Sequence, residues 1–217
     1  MKKVVLILSG GVDSTTLLYW LINQNYEVKT LSFNYGQKHT KELEMAKRTC
    51  IKIGVDNKVI DLSNLKWVLS SALTDDNWKI PEGDYKDEVM KQTVVPNRNM
   101  IMLSIAMGYA ISLKFNKVAY GAHSGDHAIY PDCRPIFIQK IKELARVVDY
   151  EPVEIIDPFI NKTKSDIVKI GTKLGVDYSL TWSCYKGKNK ACGKCGTCVE
   201  RLEAFKSNNL IDPIKYE

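Results

Sequence analysis

The sequence predicts an α/β fold: a doubly wound parallel sheet with helices on both faces and a small zinc-binding region near the C-terminus. Three observations carry that expectation. Short apolar runs alternate with segments of helical period, the first run breaks into two glycines where a helix begins, and four cysteines crowd into one stretch near the end. Alternating strands and helices bury a parallel sheet between helical layers. Ligands then gather at the carboxyl ends of the strands.

The first apolar run, Val4 to Leu8, passes through Ser9-Gly10-Gly11-Val12-Asp13-Ser14 into a stretch of helical period, Val12 to Gln24. This reads as a strand, a tight turn and a helix N-terminus. Glycines admit backbone conformations closed to other residues, and free N–H groups with the helix dipole favour an anion. Ser9 and Ser14 add hydroxyl donors. No Gly-Lys-Ser/Thr follows and the Gly-x-Gly-x-x-Gly spacing is missing, so neither the Walker nor the dinucleotide pattern applies. The plainer alternative is an ordinary strand-to-helix turn with an Asp/Ser cap.

Four further runs read as strands: Val28 to Phe33, Lys58 to Leu62, Val118 to Gly121 and Val153 to Asp157. Helical period marks Thr40 to Ile53, Asn99 to Lys114, Ile136 to Val148, Ser165 to Leu174 and a last helix from about Val199 to Ser207. Between Asn64 and Pro96 the chain turns polar, with Trp67, Trp78 and Pro81-Glu82-Gly83-Asp84. So long an irregular stretch reads as an excursion serving as a lid or a partner surface. Residues 1–181 are the expected ATP-binding domain, and residues 182–217 a C-terminal zinc-binding segment and helix packed on it.

The chain has 217 residues and is 45% hydrophobic, enough to bury a core and to argue against disorder. Its 31 basic and 25 acidic residues give a formal charge of +6, a balance suited to phosphate-bearing small molecules without a dedicated basic tail. Met1-Lys2-Lys3 and the apolar run after it are too short for a signal peptide, and no run is long enough to span a membrane. The expected setting is cytoplasmic. There, six cysteines are better read as metal ligands or free thiols than as disulfides.

Cys184, Cys192, Cys195 and Cys198 follow the pattern C-x7-C-x2-C-x2-C. Four thiolates on short links complete a closed tetrahedral zinc site, structural because no position is left for water. An iron–sulfur cluster is the rival, although the C-x3-C-P ending of the ferredoxin run is absent. Cys50 falls inside a helical pattern and reads as core.

After the fourth strand, Gly121 to Pro135 concentrates His123, Asp126, His127, Tyr130, Asp132, Cys133 and Arg134. A carboxylate there suits the paired N–H groups of a guanine-like ring, and Arg134 suits an anion. A polar turn that caps the next helix is the plainer alternative. Arg98 stands at a helix start, where the dipole gives a cation nothing, so phosphate binding competes with simple exposure. Gln37, Lys38 and His39 close the second strand, where they can meet phosphates or substrate. Thr163-Lys164-Ser165-Asp166 offers a Thr-x-x-Asp cap, and its lysine can reach a pyrophosphate.

In combination, the Ser9 to Ser14 turn, Phe33 to Glu44, Val95 to Asn99, Gly121 to Pro135, Asn161 to Gly171, Thr181 to Tyr185 and the cysteine cluster resemble the 7-cyano-7-deazaguanine synthases. These belong to the PP-loop ATP pyrophosphatases, and the resemblance runs from about Lys3 to Val199. The turn alone would identify only the superfamily. The resemblance implies an adenine nucleotide alpha hydrolase-like fold, an ATP-dependent ligase of the queuosine route, a structural zinc, magnesium with ATP, and a homodimer acting on small molecules without direct nucleic-acid contact.

The expected catalytic residues are Asp13, Ser14, Asp126 and Lys164. The expected nucleotide-binding set is Leu8, Ser9, Gly10, Gly11, Val12, Asp13, Ser14, Thr15 and Arg98. The expected substrate set is Gln37, His39, His123, Asp126, Tyr130, Asp132 and Arg134, with the four cysteines on zinc. One departure is Asn97, where many relatives are expected to carry glycine and where a side chain is expected to change the loop.

Two other classes compete. A PP-loop tRNA thiolase would need a broad basic surface and a cysteine pair for sulfur, yet only Cys50 and Cys133 remain outside the metal set. A non-catalytic nucleotide-binding module would not need the polar cluster from His123 to Arg134.

Overall fold

The computed structural model describes residues 2–83, 88–186 and 189–217, so Asp84 of the predicted excursion lies outside the described residues. Five parallel strands organise the chain: β1 (Lys2–Ile7), β2 (Tyr26–Asn34), β3 (Asn57–Asp61), β4 (Lys117–Ala119) and β5 (Glu154–Ile156). Their order is β3-β2-β1-β4-β5. β1 pairs with β2 from Lys2↔Tyr26 to Ile7↔Leu31, and on its other side with β4 at Val5↔Val118 and Leu6↔Ala119. The winding reverses between β1 and β4, where a doubly wound sheet opens a crevice at its carboxyl edge. The glycine turn emerges from β1 at that edge.

β1 is apolar at consecutive positions because both of its faces are covered. Val4, Leu6 and Leu8 pack with Leu17, Leu18 and Leu21 of α1 (Val12–Asn23), with Ala46 and Cys50 of α2 (Lys41–Ile53), and with Ile167 and Val168 of α5 (Lys164–Lys173). Val5 faces the opposite core, built on Leu103, Ala106 and Met107 of α3 (Arg98–Ser112) and Ile138 and Ile141 of α4 (Pro135–Ala145). Each fully buried leucine of this kind stabilises the fold by about 2–3 kcal/mol relative to an exposed one.

Helix ends follow local chemistry. α2 stops at Gly54, which takes a left-handed φ of 72° while Val55 N–H returns to the Cys50 carbonyl. α5 starts at a complete capping box: the Thr163 hydroxyl accepts from Asp166 N–H, and the Asp166 carboxylate accepts from Thr163 N–H. Asn97 adopts a left-handed φ of 55° just before α3. Asn is among the few side chains that tolerate this region, so it reaches the conformation a glycine would supply.

The described parts of the excursion are anchored. Leu73, Met90 and Thr93 are buried, Lys38 N–H donates to the Leu73 carbonyl, and Ala72 N–H donates to that of Gln92. Trp67 and Val68 remain exposed. Near the C-terminus, α6 (Gly196–Lys206) begins earlier than the sequence predicts, because the Cys195 to Cys198 link is itself the first turn, with Cys198 N–H on the Cys195 carbonyl. Buried Arg201 then locks the tail through a forked pair with Asp212, Nε to Oδ2 at 2.6 Å and Nη2 to Oδ1 at 2.9 Å. No helix among the described residues is long and apolar enough to cross a membrane.

Candidate active site

The turn after β1 is wired from within. Ser9 and Ser14 hydroxyls lie 2.9 Å apart, Ser9 N–H donates to Ser14 Oγ, and Gly11 N–H donates to Ser9 Oγ. α1 then starts at Val12 with no side-chain cap, which leaves its first-turn N–H groups for an anion. Gly10 has a φ of 88°, and a Cβ there would sit 2.1 Å from the Glu42 carbonyl oxygen. Only glycine allows α2 to pack this close to the turn. Gly10 also accepts the Trp182 N–H through its carbonyl, which joins the turn to the cysteine region.

A cavity opens above this turn, and Leu8, Ser9, Gly11, Asp13 and Ser14 form one wall. Its two ends differ in chemistry. At the charged end, Lys164 Nζ, from the first turn of α5, lies 2.6 Å from Asp13 Oδ2 and 3.2 Å from Glu200 Oε2. Asp126 lines the same end, and His123 Nε2 lies 3.5 Å from its Oδ2 and 3.8 Å from Asp13 Oδ2. Burial opposes ionisation of Asp13, but Lys164 and then His123 hold its carboxyl below the ordinary value. Burial likewise works against the Lys164 charge, and the carboxylates of Asp13 and Glu200 outweigh it. Asp13 Oδ1 and His123 Nε2 are buried without a hydrogen-bond partner. Such orphaned groups mark a site shaped for something that binds there.

The other end is aromatic, lined by Phe33, Tyr35, Tyr120, Tyr130 and Tyr185. Arg98 stacks over Tyr35, 5.3 Å from the ring centroid, and donates from Nη1 to its hydroxyl. Tyr130 bridges the hydroxyls of Thr93 and Tyr185, each at 2.9 Å. His39 and Glu42 enter from the start of α2, with His39 Nε2 3.7 Å from Glu42 Oε2. Burial pushes the Glu42 carboxyl up to about 7 against the pull of Arg98 and Gln37, and burial brings His39 down to about 4.

Several residues expected at the site contribute from behind it. Gln37 is spent on structure, with Oε1 accepting Tyr35 N–H and Nε2 donating to the Phe33 carbonyl and to Glu42 Oε1. Asp132 accepts Asn99 N–H at the start of α3, and exposed Arg134 donates from Nε to the His127 carbonyl. His123 takes Gly125 N–H on Nδ1 and completes a local capping box with Asp126. Gly10, Val12 and Thr15 shape the turn without lining the cavity, whereas Leu8, His39, Arg98, Asp126, Tyr130 and Lys164 all reach it. Sequence reasoning did not single out Glu42, Tyr35, Tyr185 or Glu200. Glu42 stands in the Phe33 to Glu44 run that carries the family resemblance, but nothing in the spacing of Glu200 announces that it meets Lys164.

The thiols of Cys184, Cys192, Cys195 and Cys198 are buried, unpaired and all within 4.8 Å of one another. A tetrahedron of four sulfurs about 2.3 Å from one ion has edges of about 3.8 Å, so a small inward adjustment completes it. Cys192 N–H points at Cys184 Sγ, and Lys194 and Cys195 N–H both point at Cys192 Sγ. Backbone donors aimed at sulfur suit thiolates. The cluster can therefore hold a metal ion, and the donor set fits.

A parallel sheet of this order, with its Ser-Gly-Gly-Val-Asp-Ser turn at the reversal point, defines a PP-loop nucleotide-binding protein. Of solved structures, a predicted subunit of a tRNA methyltransferase from Methanocaldococcus jannaschii shares the fold at a TM-score of 0.53 and 16% identity, covering 80% of this chain and 76% of that one. The chain belongs to the family of the queuosine biosynthesis protein QueC, whose model matches residues 3–209. It is 59% identical over 215 residues to a 7-cyano-7-deazaguanine synthase from Caldicellulosiruptor saccharolyticus, covering 99% of this chain and 96% of that one. It is also 55% identical over 217 residues to a synthase of the same name from Pseudoalteromonas atlantica, covering 100% of both.

Proposed function

We propose that the chain is an ATP-dependent ligase that converts 7-carboxy-7-deazaguanine and ammonia to 7-cyano-7-deazaguanine. The observation that carries this reading is the glycine turn and the Asp13–Lys164 pair, which share one cavity with an aromatic slot wide of the turn. Family membership supplies the substrate class.

A carboxylate oxygen is a poor leaving group, so the acid is first joined to AMP as a mixed anhydride. Ammonia displaces AMP to give the amide. The amide oxygen is then activated in the same way, and AMP leaves as the C–N triple bond forms. In this reading Leu8, Ser9, Gly10, Gly11, Val12, Asp13, Ser14 and Thr15 build the nucleotide wall. Lys164 neutralises charge on departing pyrophosphate, and Asp13 faces the phosphates, where magnesium would screen them. This is catalysis by prepositioned charge, with no covalent protein nucleophile. Arg98, on its Tyr35 platform, steadies an anionic group. Asp126, His39 and Tyr130 face the deazaguanine, with Gln37, His123, Asp132 and Arg134 holding the walls in place.

Zinc is the metal assigned to the four cysteines, and its part is structural, fixing residues 182–217 against the ATP-binding residues 1–181. We also carry forward a cytoplasmic homodimer with no direct nucleic-acid partner, for which exposed Ile136, Val147 and Tyr150 around α4 offer an apolar surface. The test is incubation with ATP, magnesium, ammonium and the 7-carboxy compound, followed by mass analysis of base and nucleotide products. Nitrile and AMP appearing only together support the reading. ATP turnover indifferent to the acid, with no nitrile, overturns it.

A further inference from the structure

We propose that Glu42 is the base that deprotonates the nitrogen nucleophile, a role that rests on the ligase reading above. Ammonium has no lone pair and must lose a proton before any bond to carbon can form, so a base in the site lets the enzyme use the protonated form that predominates at neutral pH. The residue that takes that proton must line the cavity, keep a carboxylate or imidazole near neutrality, and stand clear of Lys164, the cation assigned to pyrophosphate.

The charged end fails the last condition. Asp13 and Glu200 are both paired with Lys164, and Asp126 lies within the reach of the same charge. Glu42 meets all three. It lines the cavity from the first turn of α2. Its Oε1 is oriented by Gln37 Nε2 at 3.1 Å, and Gln37 is in turn fixed by Tyr35 N–H and the Phe33 carbonyl. That leaves Oε2 3.7 Å from His39 Nε2, too far for a hydrogen bond, with both side chains lining the cavity. His39 Nδ1 is also buried and unpartnered. The groups that bear electrostatically on Glu42 are Arg98 from α3, Tyr35 just after β2, and Gln37 and His39 from the loop before α2. Burial outweighs Arg98 and Gln37 and keeps the carboxyl near 7, so base and acid forms are both populated at neutral pH.

One N–H bond of ammonium breaks and its proton goes to a Glu42 carboxylate oxygen. The freed lone pair forms a C–N bond to the carboxyl carbon of the mixed anhydride. The anhydride C–O bond then breaks, and AMP leaves with that electron pair and takes up the second proton shed by the new nitrogen. Amide, AMP and a protonated Glu42 remain, and Glu42 releases its proton to solvent.

The experiment compares ammonium with hydroxylamine, a nucleophile already uncharged at neutral pH. In the wild-type enzyme, ammonium-dependent amide formation rises to a plateau above pH of about 7, where the free-ammonia fraction still climbs about tenfold per pH unit, and hydroxylamine-dependent hydroxamate formation lacks that limb. In Glu42→Gln, acid-dependent exchange of pyrophosphate into ATP continues, amide formation falls by about 100-fold or more, and hydroxylamine recovers most of the loss. Three results overturn the proposal: identical wild-type pH profiles for the two nucleophiles, equal loss with both in Glu42→Gln, or a raised KM for the acid with ammonium use unchanged. The last would make Glu42 a reader of the base edge. Absence of acid-dependent exchange in the wild-type enzyme would instead sink the ligase reading, a distinct failure.

Discussion

Lys164 Nζ lies 2.6 Å from Asp13 Oδ2, joining two residues of the cavity lining that stand 151 positions apart. The pair ties the start of α5 to the glycine turn, and its charges are matched at a buried place. Removing one member strands the other.

Lys164→Met is therefore expected to lower acid-dependent ATP turnover by about 100-fold or more. It also leaves Asp13 and Glu200 without their cation, a loss of about 3 kcal/mol in urea denaturation. Asp13→Asn combined with Lys164→Met should regain part of that stability and none of the activity. A stable, active Lys164→Met enzyme would remove this pair from the account.

Gly10→Ala is expected to cost about 3 kcal/mol or more, since its Cβ would meet the Glu42 carbonyl at 2.1 Å on a backbone with a φ of 88°. Gly54→Ala shares the left-handed backbone but opens into free space, so about 1 kcal/mol is expected there. Chemical denaturation of the two variants side by side measures the difference. Equal costs would mean that α2 does not pack on the turn as described.

Elemental analysis should find one zinc per chain and no inorganic sulfide. Cys198→Ser should lose the metal, and a chelator should lower the melting temperature of the wild-type enzyme. Brown protein with sulfide would assign the thiols to an iron–sulfur cluster instead.

Glu42 links pH to stability. Its carboxyl stands at about 7 in the folded chain against an ordinary 4.5, so between these values the folded state keeps a proton that the unfolded chain has released. Stability is then lost as pH rises through 7, by at most about 3 kcal/mol. Glu42→Gln removes that loss, so its melting temperature should gain on the wild type near pH of about 8 and not near pH of about 5. A gap that does not change with pH would contradict the buried, ionising carboxyl.

Much of this architecture was legible because it is local. The Val4 to Leu8 run, the two glycines, the Thr163–Asp166 box and the cysteine spacing each carry their physics within a few residues. The helix starting at Gly196 was missed by a few residues because a turn rich in glycine and cysteine hides helical period. The site was legible only in part. Asp13 and Lys164 fall on motifs, but Glu42 and Glu200 take their roles from elements brought together by the winding of the sheet. The polar loop after β4 showed the reverse. Asp132 and Arg134 are rich in chemistry on paper, yet one serves the start of α3 and the other a neighbouring carbonyl. The same hydrogen-bonding capacity serves a cap or a substrate, and only the fold decides between them.

In the proposed reaction one nucleotide site activates first the acid and then the amide. This is tested most directly by counting AMP released per nitrile formed, starting from 7-carboxy-7-deazaguanine and, separately, from the 7-amide. The account predicts two AMP per nitrile from the acid and one from the amide, each with pyrophosphate. One AMP per nitrile from the acid, or nitrile from the amide without nucleotide consumption, would contradict it.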